Sequence, residues 1–228
     1  MKRILTCLIM ASLNIVAFAQ KDVTKFLGIP IDGNKSEMKQ KLIAKGYVPK
    51  KEGDNEYLEG EFNGTDVHIY IATNNNKVYR IMVCDAKTQS EADIKIRFNK
   101  LVSQFKNNNR YIAFEDYTLS DSEDIEFEMT IHKKVFEAVF YQVPDEEKID
   151  SLAMRKQAMD ELLKRYTSEQ LENPTEEIIQ EGKKIALKMV MDITYKKPVW
   201  FRICELSGKY YISIFYDNEY NHANGEDL

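Results

Sequence analysis

The sequence predicts an α+β protein in which an antiparallel β-sheet, built from hairpins, packs against about four helices. Runs of Val, Ile and Tyr on both sides of short turn sequences are typical of antiparallel hairpins. Apolar side chains that recur at i, i+4 and i+7 are typical of helices that bury one face. Both patterns alternate along this chain of 228 residues, which favours helices packed on a sheet.

The first residues predict a signal peptide over 1–19. Lys2 and Arg3 precede the mostly apolar run Ile4–Val16, and Ala17-Phe18-Ala19 fits a small-residue cleavage site. The apolar run is shorter than the roughly 20 residues that span a bilayer. We therefore expect an exported protein, periplasmic or extracellular, without a membrane span.

The composition favours a packed and mildly acidic protein. Hydrophobic residues make up 43% and aromatic residues 11% of the chain, which is enough for a core. The formal net charge is −5, and loss of Lys2 and Arg3 takes it to −7. Scattered charges of this sign argue against binding to a phosphate backbone, so we predict no nucleic-acid partner.

The N-terminal half, 20–108, begins with a loop and a short helix. Asn34 and Glu37 form a capping-box pattern, and Gly46 ends the helix. A strand at Leu58–Phe62 follows, then a hairpin from Val67 to Cys84 whose turn is rich in Asn. On this hairpin, alternation places two triplets on one wall of a core: Val67, Ile69 and Ile71, then Tyr79, Ile81 and Val83.

A longer helix starting at Ser90 closes this half, and the run Asn107–Asn109 marks the seam. The C-terminal half, 109–228, is expected to pack with the first as one unit. Its predicted strands lie near Tyr111–Tyr117, Ile125–Ile131 and Val135–Val143, and its predicted helices cover about Glu146–Tyr166 and Pro174–Ile193, the latter started by Asn173.

A second hairpin, Val199–Asp217, ends the predicted sheet. If Ser207-Gly208 is its two-residue turn, Phe201 pairs with Ile214 and Ile203 with Ile212. These apolar pairs form the core face.

The opposite face of both hairpins carries the candidate binding residues. They are Trp200, Arg202, Tyr211 and Phe215 from the second hairpin, with Tyr70 and Arg80, and also His68, from the first. Trp, Tyr and Arg are the residue types enriched at protein-binding hot spots. We predict a surface for another protein or a glycan; the alternative is that the helices near 146–166 and 174–193 cover this face.

No motif predicts a catalytic site, a metal site or a cofactor. The run Gly28–Ser36 departs from a phosphate-binding loop because Asn34 moves Lys35 out of register. Three histidines lack metal-ligand spacing, and Glu126 with Glu128 is an ordinary acidic pair. A hydrolase using scattered carboxylates and a structural envelope protein remain alternatives to a binding module.

Two features stay open at this point. Cys84 and Cys204 either form a disulfide or are buried free thiols. The tail, through Asp217, Glu219, Asn221, Asn224 and Asp227, offers oxygen ligands to Ca²⁺ or is a frayed terminus.

The two ends of the chain resemble small exported proteins of gut bacteria. The resemblance is carried by Phe26-Leu-Gly-Ile-Pro-Ile-Asp-Gly33 and by Tyr216-Asp-Asn-Glu-Tyr-Asn221 with Asn224-Gly-Glu-Asp-Leu228. It implies one unit that extends through the C-terminus. The element order is similar to β-lactamase-inhibitor-like and outer-membrane-assembly lipoprotein folds, which implies the fold alone. Asp150-Ser151-Leu152 resembles the O-glycosylation acceptor of such bacteria.

Overall fold

The structure is a computed structural model that describes residues 21–223 and 225. The predicted signal peptide lies outside the described residues, as do Asn224 and Asp227 of the tail. The strands are β1 (Lys25–Phe26), β2 (Ile29–Pro30), β3 (Val48–Glu52), β4 (Asn55–Phe62), β5 (Thr65–Asn74), β6 (Lys77–Asp85), β7 (Tyr111–Ile112), β8 (Glu137–Gln142), β9 (Pro198–Leu206) and β10 (Lys209–Asp217).

The described chain also contains six α-helices. They are α1 (Lys35–Ala44), α2 (Glu91–Lys106), α3 (Ile125–Ile131), α4 (Ser151–Leu163), α5 (Ser168–Glu172) and α6 (Glu176–Thr194), with a 3₁₀ turn at Glu146–Lys148. The N-termini of α1 and α2 are built as the sequence indicates. The side chain of Asn34 accepts a hydrogen bond from the Glu37 N–H, and Ser90 accepts one from the Asp93 N–H.

Eight strands form one antiparallel sheet in the order β3-β4-β5-β6-β10-β9-β8-β7, and β1 pairs with β2 in a small separate hairpin. The predicted α+β class with antiparallel sheets is confirmed. The last strand of each predicted half, β6 and β10, meet at the centre of the sheet. The main-chain hydrogen bonds of one ladder therefore continue across both halves.

The core lies between this sheet and two helices on one of its faces. α1 lies over β5 and β6, and α2 lies over β7 and β10. The buried side chains Met38 and Leu42 of α1 and Phe98 of α2 join one apolar cluster with Ile69 and Ile214 of the sheet. Since neighbouring residues of a strand alternate between faces, the side chains between these core positions lie on the other face.

The second hairpin has the predicted register. Phe201 is opposite Ile214 and Ile203 is opposite Ile212, and all four side chains are buried. In the first hairpin the prediction for Tyr79 is wrong. A bulge after Ala72 pairs Thr73 with Val78, so Val78 is fully buried while Tyr79 packs against His222.

Three of the predicted elements in the C-terminal half need correction. The strand expected at Ile125–Ile131 is helix α3, because Asp124 accepts a hydrogen bond from the Phe127 N–H and starts a helical turn. Of the strand expected at Tyr111–Tyr117 only β7 forms. Helix α6 is capped by Thr175 and begins at Glu176, since Asn173 serves as the C-cap of α5.

Strand β3 is not predicted by the sequence pattern. All its residues are exposed and its sequence is Val-Pro-Lys-Lys-Glu, so it lacks the apolar alternation that marks a strand. It forms because its main chain pairs with β4, from Val48 opposite Glu59 to Glu52 opposite Asn55. Charged side chains and Pro suit this edge position, where they discourage pairing with another chain.

Candidate functional site

The sheet face turned away from α1 and α2 is called the open face. Cross-strand partners align its side chains in two rows that run across the strands. The aromatic row consists of Tyr57, Tyr70, Met82, Phe215, Trp200 and Val139, from β4 to β8. The polar row lies two residues away along each strand, on the same face. It consists of Glu59, His68, Cys84, Ser213, Arg202 and Glu137.

Stacked rings form the middle of the aromatic row. The Trp200 and Phe215 rings lie 4.0 Å apart at 16° to each other. The Arg80 guanidinium lies 5.4 Å from the Trp200 ring centroid and 5.0 Å from that of Phe215. Cation–π attraction of this kind favours a fixed guanidinium over the rings. The stack is thus held on three adjacent strands rather than by one hairpin.

Asp217 fixes both the arginine and the tryptophan. Its carboxylate accepts two hydrogen bonds from Arg80, at 2.6 and 2.8 Å, and one from Trp200 Nε1 at 2.9 Å. The carboxylate side chain is only 3% exposed. The hydrogen bond to Asp217 raises the pKa of the Arg80 guanidinium despite partial burial. Bidentate pairing in a site shielded from water makes this a rigid support.

Both cysteines of the described chain lie near one serine of the polar row. Cys84 Sγ lies 3.2 Å from Ser213 Oγ, and Cys204 Sγ lies 3.6 Å from the same oxygen. Both thiols are free. Their strands β6 and β9 flank β10, and two strand spacings amount to about 9–10 Å, beyond the roughly 7 Å Cα separation of a disulfide.

The environment of Cys84 does not favour a reactive thiol. Burial raises its pKa, and this outweighs the opposing effect of the hydrogen bond with Ser213. His68 is the cross-strand neighbour of Cys84, and its Nε2 lies 3.8 Å from Glu59 Oε1. A nucleophilic thiol needs a lowered pKa. The polar row therefore has the residue types of a thiol site, but the pKa of its Cys84 thiol is shifted in the wrong direction.

The structure places the six predicted binding residues on the open face, but their side chains differ in solvent exposure. Arg202 is exposed, and Trp200, Tyr211, Tyr70 and Arg80 are partly exposed. Phe215 is only 4% exposed, so it is corrected from a contact residue to a supporting one. Its ring is covered by its neighbours on the face: Trp200, Arg80 and Arg202.

The predicted alternative, in which later helices cover this face, does not fit the described residues. α4 and α6 pack against each other, and α4 has no buried side chain. Arg202, on β9 of the open face, is exposed. At the β8 side the face extends into a second aromatic group, in which Tyr141 contacts the exposed rings of Phe114 and Tyr195 at 5.6 and 5.2 Å.

The C-terminal carboxylates were predicted as ligands for Ca²⁺ or as part of a frayed end. Ligand atoms of Asp217, Glu219 and His222 do lie within 4.8 Å of one another. Both Asp217 oxygens, however, already accept hydrogen bonds from Arg80 or Trp200. A cation there would have to displace a guanidinium, so this cluster serves the open face instead.

The acidic pair Glu126 and Glu128 is not a candidate for paired acid–base chemistry. Both lie on α3 rather than on a strand. Residues two apart on a helix project about 200° from each other, so their carboxylates diverge. Glu128 instead contacts His132 at 2.9 Å.

No family model, curated protein or solved structure matches the chain. None of the helices in the described part of the chain has the length and apolar character needed to cross a bilayer.

Proposed function

We propose that this chain is an exported binding module that holds another protein against its open face. The observation that carries the proposal is the exposed Arg202 beside the partly exposed Trp200 and Tyr211, on a sheet face that α1 and α2 leave uncovered. Trp, Tyr and Arg supply large contact area and fixed hydrogen-bond donors at binding hot spots.

The support for these side chains favours binding over a purely structural role. Asp217, the Trp200–Phe215 stack and Arg80 hold the surface residues in place before any partner arrives. A rigid surface loses little side-chain entropy on association. A sheet face is also extended and broad, which suits a macromolecular surface better than a small molecule.

The chemistry of the partner follows from the charges on the face. Arg80 is paired with Asp217, whereas Arg202 forms no ion pair among the described residues. A partner that brings a carboxylate to Arg202 and an apolar side chain to Trp200 would satisfy both groups. Export of the module rests on the predicted signal peptide over 1–19.

Two single substitutions test the proposal. Arg202→Ala and Tyr211→Ala remove an exposed and a partly exposed side chain that lie outside the buried cluster between the sheet and α1 and α2, so the fold should persist. The wild type and each variant are immobilised and exposed to a periplasmic or extracellular extract. We expect the wild type to capture a partner protein and either variant to fail to capture it. The binding constant of that purified protein should weaken by about tenfold or more, as hot-spot truncations do.

A matched control lies outside the sheet. Leu187→Ala removes an exposed apolar side chain of α6 and should retain the partner. Trp200 is the only tryptophan, so its fluorescence should change when the partner binds. Equal retention by wild type, Arg202→Ala and Tyr211→Ala, or an unchanged Trp200 signal in the complex, would show that the open face is not the binding surface.

A further inference from the structure

A separate cleft of about 1090 Å³ opens on the helix side of the sheet. It lies where the β1–β2 hairpin and the end of β4 face the C-terminal half of α2, β7 and the segment after β8. This is the region of the predicted seam between the two halves. Clefts at such boundaries are common places for ligands, and this volume is at the upper end of small-molecule sites.

The walls of the cleft are held in place by contacts between distant parts of the chain. Gln142 accepts a hydrogen bond from the Lys25 N–H at 2.8 Å, and its amide donates to the Lys25 carbonyl at 2.7 Å. The same amide donates to the Tyr111 hydroxyl at 3.2 Å. One side chain therefore ties β1, β7 and β8 together, so the cleft is formed before a ligand enters.

The cleft offers little net charge to a ligand. Lys25 pairs with Asp145 at 3.1 Å, and the buried Lys197 pairs with Asp22 at 2.6 Å. Over the whole lining three basic side chains are matched by three acidic ones. A strongly anionic or cationic ligand would lose its hydration without gaining a counter-charge.

The uncharged part of the lining combines rings with amides. Phe62, Phe105 and Tyr111 supply aromatic surface, and Gln104 and Asn109 supply amide groups that can both donate and accept hydrogen bonds. This mixture matches a ligand with apolar C–H faces and many hydroxyls. A long hydrocarbon chain would leave the amides without partners, at a cost.

An unusual turn residue stands at the rim. Leu27 has φ of +51° and is followed by Gly28 at +80°, and the Leu27 side chain is 38% exposed. Two-residue hairpin turns with positive φ at both positions normally carry Asn or Gly at the first. A leucine there is strained and leaves apolar surface in water, and such strain recurs at ligand sites.

We infer that this cleft binds a neutral oligosaccharide, with Leu27 and the Phe62, Phe105 and Tyr111 rings against the sugar faces and with Gln104 and Asn109 bonded to its hydroxyls. The site is independent of the open face, which lies on the other side of the sheet. Its volume fits several sugar units rather than one.

The test is calorimetric titration of the full chain with three neutral tetrasaccharides, maltotetraose, cellotetraose and xylotetraose, and with an anionic tetragalacturonate and a fatty acid as comparison probes. At least one neutral probe should bind saturably. Leu27→Asn and Gln104→Ala should each weaken that binding by about tenfold. Leu27→Asn should at the same time raise the thermal midpoint of unfolding, because it relieves a strained turn. If Leu27 were only structural, the same substitution would not weaken sugar binding while it stabilised the fold.

Leu187→Ala, on α6 and outside the lining of the cleft, is the matched control and should bind the same sugar as the wild type. Failure of all three neutral probes would overturn the inference, as would tighter binding of tetragalacturonate or the fatty acid. Binding that survives both cleft substitutions would also overturn it. None of these results bears on the open face, because loss of the partner and loss of the sugar are measured with different variants.

Discussion

At the scale of single residues, the buried charges decide which surface is rigid. The sequence predicts Asp217 to be one of several acids in a polar tail. In the structure its carboxylate is almost fully buried under Arg80 and Trp200. Removing one partner of such a pair leaves the other without compensation, which is typically worth several kcal/mol. Asp217 is therefore the residue on which the geometry of the open face depends.

Lys197 is a second buried charge among several, and its titration gives a prediction. Burial lowers its pKa below 10.5, although the Asp22 carboxylate opposes the shift. Between the lowered pKa and 10.5 the unfolded chain holds a proton that the folded chain has lost. The unfolded state then binds more protons, so the contribution of Lys197 to the free energy of unfolding increases with pH.

The measurement compares urea unfolding of the wild type with that of Lys197→Met at several values from about pH 8 to about pH 10. The difference, wild type minus variant, should grow in favour of the wild type as pH rises. Buried tyrosines such as Tyr216 have raised pKa values and act in the opposite direction, but they are common to both proteins and cancel. Lys156→Met, at an exposed lysine of α4, is the control; a difference that is flat for Lys197→Met too would contradict the prediction.

At the scale of elements, the helices fall into two kinds. α1 and α2 have stripes of fully buried side chains and lie on the sheet. α4 has no buried side chain, and α6 has only Ile178 and Thr194. The helices α4 and α6 pack on each other, so their stability does not come from the main core.

Hydrogen exchange should separate these two kinds of helix. Local stability follows the density of buried contacts, so amides of α4 and α6 should exchange through local opening. We expect protection in these two helices to be at least about a hundredfold lower than in β6 and β10, measured by mass spectrometry on peptides. Equal protection across both regions would mean that the α4–α6 pair is part of the main cooperative unit.

At the scale of the whole molecule, one sheet joins the two predicted halves. β6 pairs with β10 from Ser213 opposite Cys84 to Asp217 opposite Arg80. Helix α2, which precedes the predicted seam, packs on β10 and β7 rather than on the strands before it. The halves therefore share both main-chain hydrogen bonds and core.

This sharing predicts one unfolding transition for the sheet and its core. Ile69→Ala in β5 and Phe201→Ala in β9 each empty a fully buried site and should cost about 2–5 kcal/mol. Each should shift the same transition when Trp200 fluorescence and far-ultraviolet circular dichroism are followed in urea. Two transitions, with Ile69→Ala moving one and Phe201→Ala moving the other, would show that the halves unfold separately.

The second hairpin and the caps of α1 and α2 were predictable because short-range rules determine them. A two-residue turn sets the register of β9 against β10, and Asn34 and Ser90 reach only their own helices. The strand predicted at 125–131 failed because Asp124 caps a helical turn there, in which Ile125 and Met129 share the core face while Phe127 and Ile131 are exposed. The prediction that Tyr79 faces the core failed because the bulge interrupts the alternation of β6, so that Val78 faces the core in its place.

The candidate sites divide in the same way. Period-two alternation alone put Trp200, Arg202 and Tyr211 on one face of the β9–β10 hairpin, away from Phe201 and Ile214. It could not show that Phe215 lies beneath its neighbours, since that depends on which strand lies beside β10. The cleft, whose lining comes from segments between Lys25 and Tyr216, has no signature in any one stretch of sequence.

The sequence by itself determined the α+β class, the two main hairpins and the face on which their aromatic and Arg side chains lie, because these follow from patterns a few residues long. Only the tertiary structure decided that β6 and β10 join, that Asp217 is buried between Arg80 and Trp200, and that a cleft opens at the seam. The physical reason is that strand order and cavity shape depend on contacts between residues more than a hundred positions apart, and no local propensity encodes which of those contacts form.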